Sequence, residues 1–349
     1  MNNVIRTSWR DAATLIVLSK KKVVVPWEGV NYDILFQTRT ASASFANSVV
    51  FPGGVTEPSD ASDEWLKLFR SFGYSQRHFE AFHSPGAPVT PILRDNPVKR
   101  HIALRITAIR ETFEELGLLL ASTEHQRDRS GLSASVLSDL DVKLWQSKIS
   151  KNPEDLLTLC KSLGCYPDIW SLQYWSNWLT PVHFPKRFDT AFFVTSLDER
   201  PEGLKSSNEV VHVQWASPDN ILSKFHKNEL VLFPPQSYEL NRLRLVPDCE
   251  ELLRFAATRS AEGNALLYPV ILKARDGQLH LLPGDELYPS KVDYINDGQI
   301  IQKDKTVQEI RDSCHTIHRF EASADKQFVI RNCKLDNHID MGDRVIPVA

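Results

Sequence analysis

The spacing of apolar residues changes several times along this chain, and each change marks an element. Residues 12–18 and 32–37 are apolar runs bounded by polar residues, the pattern of buried strands. Val49 to Phe51 is a third run and stops at Pro52-Gly53-Gly54. From about Val98 to Leu116 the period lengthens: Ile102, Leu104, Ile106, Ile109 and Phe113 predict a helix with one buried side. Pro97 precedes it, and Gly117 stands where a left-handed cap would end it. Between 135 and 165 the spacing predicts a helical pair broken at Asn152-Pro153, with Asn152 expected to cap the second helix. Phe188 to Leu197 predicts a core strand and 209–215 an alternating one, after which Ser217-Pro218 opens a helix. Further on come helices at 238–244 and 249–260, a strand at 268–273, a tight turn at Asp276-Gly277 and a strand at 278–282.

Candidate chemistry concentrates at the end of the long helix. Arg110-Glu111-Thr112-Phe113-Glu114-Glu115-Leu116-Gly117-Leu118 puts three carboxylates and a guanidinium on about one and a half turns. Residues three and four apart are neighbours on a helix, so Glu111 faces both Glu114 and Glu115. A solvated acidic face is the simplest reading of such a run. Against it, the C-terminal end of a helix disfavours negative charge, so these glutamates sit where stability alone would not put them. Hard divalent cations take carboxylate oxygens and complete their shells with substrate phosphates, which makes a metal site the competing reading.

Gly54 together with Arg110, Glu111, Glu114, Glu115, Gly117 and Leu118 resembles the Nudix box, G-x5-E-x7-R-E-U-x-E-E-x-G-U, where U is bulky and apolar. Two positions depart from it. Thr112 stands where an aliphatic residue is usual, and the loop glutamate falls at Asp60, with residues 61–109 separating it from Arg110 where the pattern has seven. An insertion inside the box is similar to the coenzyme A diphosphatase branch called nucleoside diphosphate-linked moiety X motif nineteen. Segments at 167–170, 175–181, 187–193, 232–236 and 279–288 resemble that branch in the same order. The resemblance implies an α/β fold, a Nudix α/β/α sandwich with a mixed sheet. It places a Nudix domain at residues 8–235, with an insertion at about 55–98, and an α+β extension over 236–349 packed on it.

The resemblance also implies a hydrolase that uses Mg²⁺ or Mn²⁺ to cleave the diphosphate of coenzyme A or its acyl esters. The alternatives are another nucleoside diphosphate derivative, such as ADP-ribose, NADH or capped RNA, or a silent binding module on the same fold. Glu111 and Glu115 are the first expected metal ligands, since four-residue spacing aligns them; Glu114 is a third ligand or the group that takes the proton from water. Arg110, a cation, is expected to pair with a glutamate and hold it. Gly53 and Gly54 would let the backbone turn closely beside the helix. Arg39 and Arg187 are candidate substrate contacts; for Arg187 a phosphate contact and an ion pair with Asp189 both stand. Glu209 reads equally as an extra ligand or base, or as a solvated strand-end residue. The insertion is expected to be a lid or a substrate-shaping segment.

Composition narrows the field further. With 349 residues and 42% hydrophobic content the chain can bury a large core. A net charge of −3 argues against bulk nucleic-acid binding and leaves a small-molecule partner. No apolar run approaches the length of a membrane span. Five cysteines without paired short spacings read as reduced thiols of an intracellular protein. Cys314-His315 with His318 offers zinc-ligand types but no fourth partner, so packing is the expected role. The resemblance implies a peroxisome or mitochondrion, whereas Pro347-Val348-Ala349 is not a Ser-Lys-Leu address, which leaves the cytoplasm open too. Trp170, Tyr174 and Trp178 are expected to pack rather than to stack on a base.

Overall fold

A computed structural model of the chain describes residues 9–22, 29–40, 48–128, 131–208, 210–296, 299–323 and 326–347. Its centre is the long apolar strand β1 (Arg10–Lys20), which turns back antiparallel on β2 (Tyr32–Arg39). Two short strands follow, β3 (Val49–Val50) on β2 and β4 (Gly53–Val55) on β1. The inserted segment then forms helices α1 (Glu64–Ser71) and α2 (Gln76–Glu80). Helix α3 (Pro97–Leu116) starts at an Asn96 side-chain cap on the Lys99 N–H, with Pro97 in its first turn, and ends at Gly117 in the left-handed conformation, φ +70°.

A three-stranded patch of β5 (Leu119–Ser122), β6 (Val136–Leu137) and β7 (Tyr166–Pro167) encloses α4 (Val142–Ile149) and α5 (Asp155–Leu163) in sequence. Helix α5 begins at Asp155 with Glu154 at its N-cap, so Asn152 lies outside it. Strands β8 (Gln173–Leu179) and β9 (Phe188–Leu197) follow, β9 running parallel to β1 over ten register pairs. Then come β10 (Val210–Ala216), α6 (Pro218–His226), α7 (Pro234–Leu243), α8 (Cys249–Arg259) and β11 (Leu266–Leu267). The central sheet runs β10-β2-β1-β9-β8-β11 with mixed directions.

Alternation along β1 sorts two cores. Ala13, Leu15 and Val17 face the core that carries α3, α4, α5 and the insertion; Ile16 and Leu18 face the core that carries α6, α7 and α8. These are the two outer layers of an α/β/α sandwich. The insertion is part of the first layer and not a lid. Trp65, Phe69, Phe79 and Ile92 are buried in that core, and Tyr74 stacks on Trp170 with ring centroids 3.4 Å apart. Burying four large apolar side chains is worth roughly 1.5–3 kcal/mol each, which holds the segment down.

The remaining chain builds a second, six-stranded sheet: β12 (Val270–Ala274), β13 (Gln278–Leu281), β14 (Ile300–Gln302), β15 (Ile317–Ala322), β16 (Lys326–Arg331) and β17 (Arg344–Pro347), with α9 (Val307–Ser313) alongside. Because α7, α8 and β11 pack on or join the central sheet, the seam between units falls after Leu267, later than 235. The second sheet docks on the sandwich through the α6–α8 core, to which it contributes Phe328, Ile330 and Ile346. Tyr238 of α7 pins the contact with its hydroxyl 2.8 Å from His318 Nε2 and 3.0 Å from His338 Nε2. His318 and Cys314 are used in this packing; the Cys314 sulfur lies 3.3 Å from Arg319 Nη2. Asp285 accepts two hydrogen bonds from the buried Arg319 guanidinium, at 2.6 and 2.8 Å, and so anchors its turn.

Candidate active site

The last turns of α3 lie against β4, and glycine is what allows it. A Cβ on Gly53 would come within 2.3 Å of the Ala13 carbonyl oxygen, and one on Gly54 within 2.4 Å of the Glu111 carboxyl carbon. With both side chains absent, the strand passes directly over the acidic turn. The Gly53 N–H donates to Glu115 Oε2 at 2.9 Å, and Arg39 Nη2 donates to Glu115 Oε1 at 3.2 Å. Both residues therefore hold a glutamate.

Arg110 organises the other carboxylates. Its guanidinium is buried and donates to Asp60 Oδ1 and Oδ2 at 2.9 Å each, to Glu111 Oε1 at 2.9 Å, to Glu114 Oε1 at 2.7 Å and to the Val55 carbonyl at 2.8 Å. Asp60 thus reaches the cluster from inside the insertion, and it does so through the arginine. Its Oδ2 also accepts from the Thr107 hydroxyl at 2.8 Å. Thr107 in turn bonds back to Ala103, so the loop and the helix are locked together.

Glu111 and Glu115, one helical turn apart, both border a cavity of about 590 Å³. Glu114 does not line it. Burial pushes the Glu111 carboxyl above the usual range against the pull of Arg110, with Glu115 and Glu114 adding repulsion. Glu115 is raised as well, burial outweighing Arg39, the Gly53 N–H and Gln37. Two carboxylates in one enclosed site are unfavourable as a pair of anions without a compensating cation.

Among the described residues no three His, Cys, Asp or Glu side chains converge as a ready cation cage. Arg110 holds Glu114, which does not line the cavity, and Glu111 and Glu115 are the two carboxylates among the described residues of its wall. That donor set fits a hard divalent ion that keeps waters and shares substrate phosphates, and Nudix hydrolases generally use divalent metals.

The other expected residues separate. Arg187 does not join the cluster: its guanidinium donates to the carbonyls of Thr180 at 2.9 Å and Tyr294 at 2.8 Å, lies over Trp9, and is absent from the cavity wall. Glu209 lies outside the described residues. Trp178 is at once a packing residue and part of the wall. Arg10 was not foreseen: it lines the cavity with its guanidinium 5.1 Å from the Phe188 ring, and the described residues give it no carboxylate partner. A single basic residue ahead of a strand has no pattern that would single it out. Also unforeseen is a wall from beyond residue 260, to which Pro269, His280, Leu282, Phe320 and Phe328 contribute.

Comparison with known proteins identifies the family. The NUDT19 Nudix domain family matches residues 9–243 and the NUDT19 C-terminal domain family residues 271–332. An acyl-coenzyme A diphosphatase NUDT19 of Gallus gallus is 36% identical over 333 residues, covering 89% of this chain and 88% of its own length. The Homo sapiens protein of the same name is 34% identical, with coverage of 89% and 88%. That of Xenopus laevis is 33% identical, with coverage of 96% and 95%. A crystal structure of a Nudix hydrolase from Alicyclobacillus acidocaldarius matches with a TM-score of 0.52 at 25% identity, over 71% of this chain and 97% of that one. With a split Nudix box whose halves meet at Arg110, and with both family domains matched in order, the chain belongs to the NUDT19 family of Nudix hydrolases.

Proposed function

We propose that the protein hydrolyses the diphosphate bond of coenzyme A and acyl-coenzyme A, using Mg²⁺ or Mn²⁺, to adenosine 3',5'-bisphosphate and (acyl-)phosphopantetheine. The oxygen of water bonds to one phosphorus, the bridging P–O bond breaks, and a proton is released. The observation that carries the reading is a cavity lined both by a carboxylate pair and by many apolar side chains, the chemistry needed for a diphosphate joined to a long uncharged arm. It is supported by relatives named acyl-coenzyme A diphosphatase over most of their length.

Glu111 and Glu115 are the residues that would hold the cation. Bound there, the cation supplies neutralisation of diphosphate charge and acidification of a coordinated water. The protein's part is positioning. Arg110 fixes Glu111 from behind, Asp60 braces Arg110, and the Gly53 N–H and Arg39 fix Glu115. Glu114 shares Arg110 with Glu111 outside the cavity wall, which favours a bracing role over proton acceptance. Arg10 is placed to meet substrate phosphate in the wall.

The test is side-by-side hydrolysis of coenzyme A, an acyl-coenzyme A, ADP-ribose and NADH with Mg²⁺, following adenosine 3',5'-bisphosphate by chromatography. Robust turnover of ADP-ribose or NADH without turnover of coenzyme A would overturn the substrate. No turnover of any of the four would favour a binding module.

A further inference from the structure

Part of the cavity wall belongs to the second sheet. His280 of β13 pairs in register with Phe320 of β15, which pairs in register with Phe328 of β16. Their side chains share one face of the sheet. Ring centroids are 5.5 Å apart for His280 and Phe320 and 5.3 Å apart for Phe320 and Phe328. Leu282 and Pro269 extend this ladder, and all five residues line the cavity. The opposite face of the sheet, with Leu279, Leu281 and Val329, is spent on a core of its own with α9. Burial lowers the His280 imidazole to about 4, so the ladder carries no charge at neutral pH.

We propose that this aromatic ladder is the subsite for the acyl-pantetheine arm, and that the second sheet sets chain-length preference. The inference rests on the diphosphatase reading and adds to it where each end of the substrate goes. Charge decides the orientation. The adenosine end carries the 3'-phosphate, which an uncharged wall of phenylalanine, leucine, proline and neutral histidine would desolvate without compensation. The arm beyond the pantoyl group carries no charge and gains from burial against the same wall. The cations that line the cavity, Arg10 on β1 beside Phe188 and Arg39 on β2 beside Glu115, both stand on the central sheet, leaving the charged end of the substrate to that side.

The experiment is a KM series on the full-length wild type with coenzyme A and acetyl-, hexanoyl- and decanoyl-coenzyme A, repeated with Phe320→Ala and Phe320→Leu. In the wild type KM falls with chain length. Phe320→Ala raises KM for the decanoyl ester by about tenfold, the loss expected for much of one aromatic contact, and raises it for free coenzyme A by a smaller factor, because free coenzyme A has the pantetheine part of the arm without the acyl chain; Phe320→Leu recovers most of the difference. A flat wild-type series overturns the inference, as does an equal shift for coenzyme A and its esters. If Phe320→Ala does not fold, irradiation of the wild type in EDTA with an acyl-coenzyme A bearing a terminal diazirine answers the same question. Label within residues 269–282 or 317–331 supports the subsite, and label confined elsewhere overturns it. Absence of coenzyme A turnover by the wild type would sink the diphosphatase reading instead, so the two failures are told apart.

Discussion

Replacing Arg110 tests whether the split halves of the box form one structural unit. The guanidinium is 2% exposed and the Asp60 carboxylate is equally enclosed. Arg110→Ala leaves Asp60, Glu111 and Glu114 without their shared cation and the Val55 carbonyl without its donor. Breaking a buried pair by removing one partner costs about 3–5 kcal/mol, because the remaining charge stays uncompensated. Asp60→Asn is milder. The amide keeps its shape and can still accept from Arg110 Nε, and Arg110 remains balanced by Glu111 and Glu114, so the loss is that of a charge-assisted hydrogen bond, about 1–3 kcal/mol. The assay is urea denaturation followed by near-ultraviolet circular dichroism, with both single variants and the double variant at one pH. The expected order is Arg110→Ala well below Asp60→Asn, with a double variant less destabilised than the sum because the Asp60 charge no longer needs neutralising. An Arg110→Ala loss below about 1 kcal/mol, or strict additivity, would refute the reasoning.

Three further outcomes follow from the same geometry. Gly54→Ala pushes the Glu111 carboxyl aside by way of a flexible side chain, so the thermal midpoint changes little while coenzyme A hydrolysis falls by about 100-fold; normal turnover would show that Glu111 placement is not critical. Glu115→Gln keeps an acceptor for the Gly53 N–H and stays folded, yet loses at least about 100-fold in activity and needs more Mg²⁺; retained activity with wild-type metal dependence would rule Glu115 out as a ligand. Burial raises the Asp189 carboxyl to about 7, so its protonated form is favoured in the folded state. Its contribution to stability is therefore present in full below about pH 4 and is lost as pH rises through 7. Asp189→Asn should flatten the urea midpoint between pH 5 and 8 and raise it at pH 8; a steeper profile would contradict the assignment.

The sandwich was legible because its strands and its long acidic-ended helix obey simple periods. The run at 188–197 and the helix closing at Gly117 carry both their burial and their ends in the sequence. Strand β15 does not. It reads Ile-His-Arg-Phe-Glu-Ala, and its buried Arg319 and Glu321 invert the usual mark of a core-facing position. Their partners, Asp285 and Arg311, lie outside the strand. The acidic pair Glu111 and Glu115 followed from helical spacing, whereas the aromatic wall facing it comes from residues well over a hundred positions away. Arg187 stood equally as a phosphate contact or an ion-pair partner of Asp189 because side-chain chemistry was visible and the nearby carbonyls of Thr180 and Tyr294 were not. The insertion read as a lid or a substrate-shaping segment because length and position were visible, but its burial depends on Tyr166 and Trp170, which meet its aromatics only in the folded chain.

The parallel pairing of β1 with β9 sets a timetable for making this enzyme. Arg10 finds its register partner Phe188 only after the intervening chain has been synthesised, on the order of ten to forty seconds later at translation rates of about 5–20 residues per second. Until then this long strand has only β2 and β4 beside it, and one edge waits open on the ribosome. The wall bearing Phe320 and Phe328 comes later still. Carboxylates and glycine turn are assembled first, and the cavity wall is complete only after residue 328 has been made, so a shorter nascent chain would carry the acidic turn without the aromatic wall beside it.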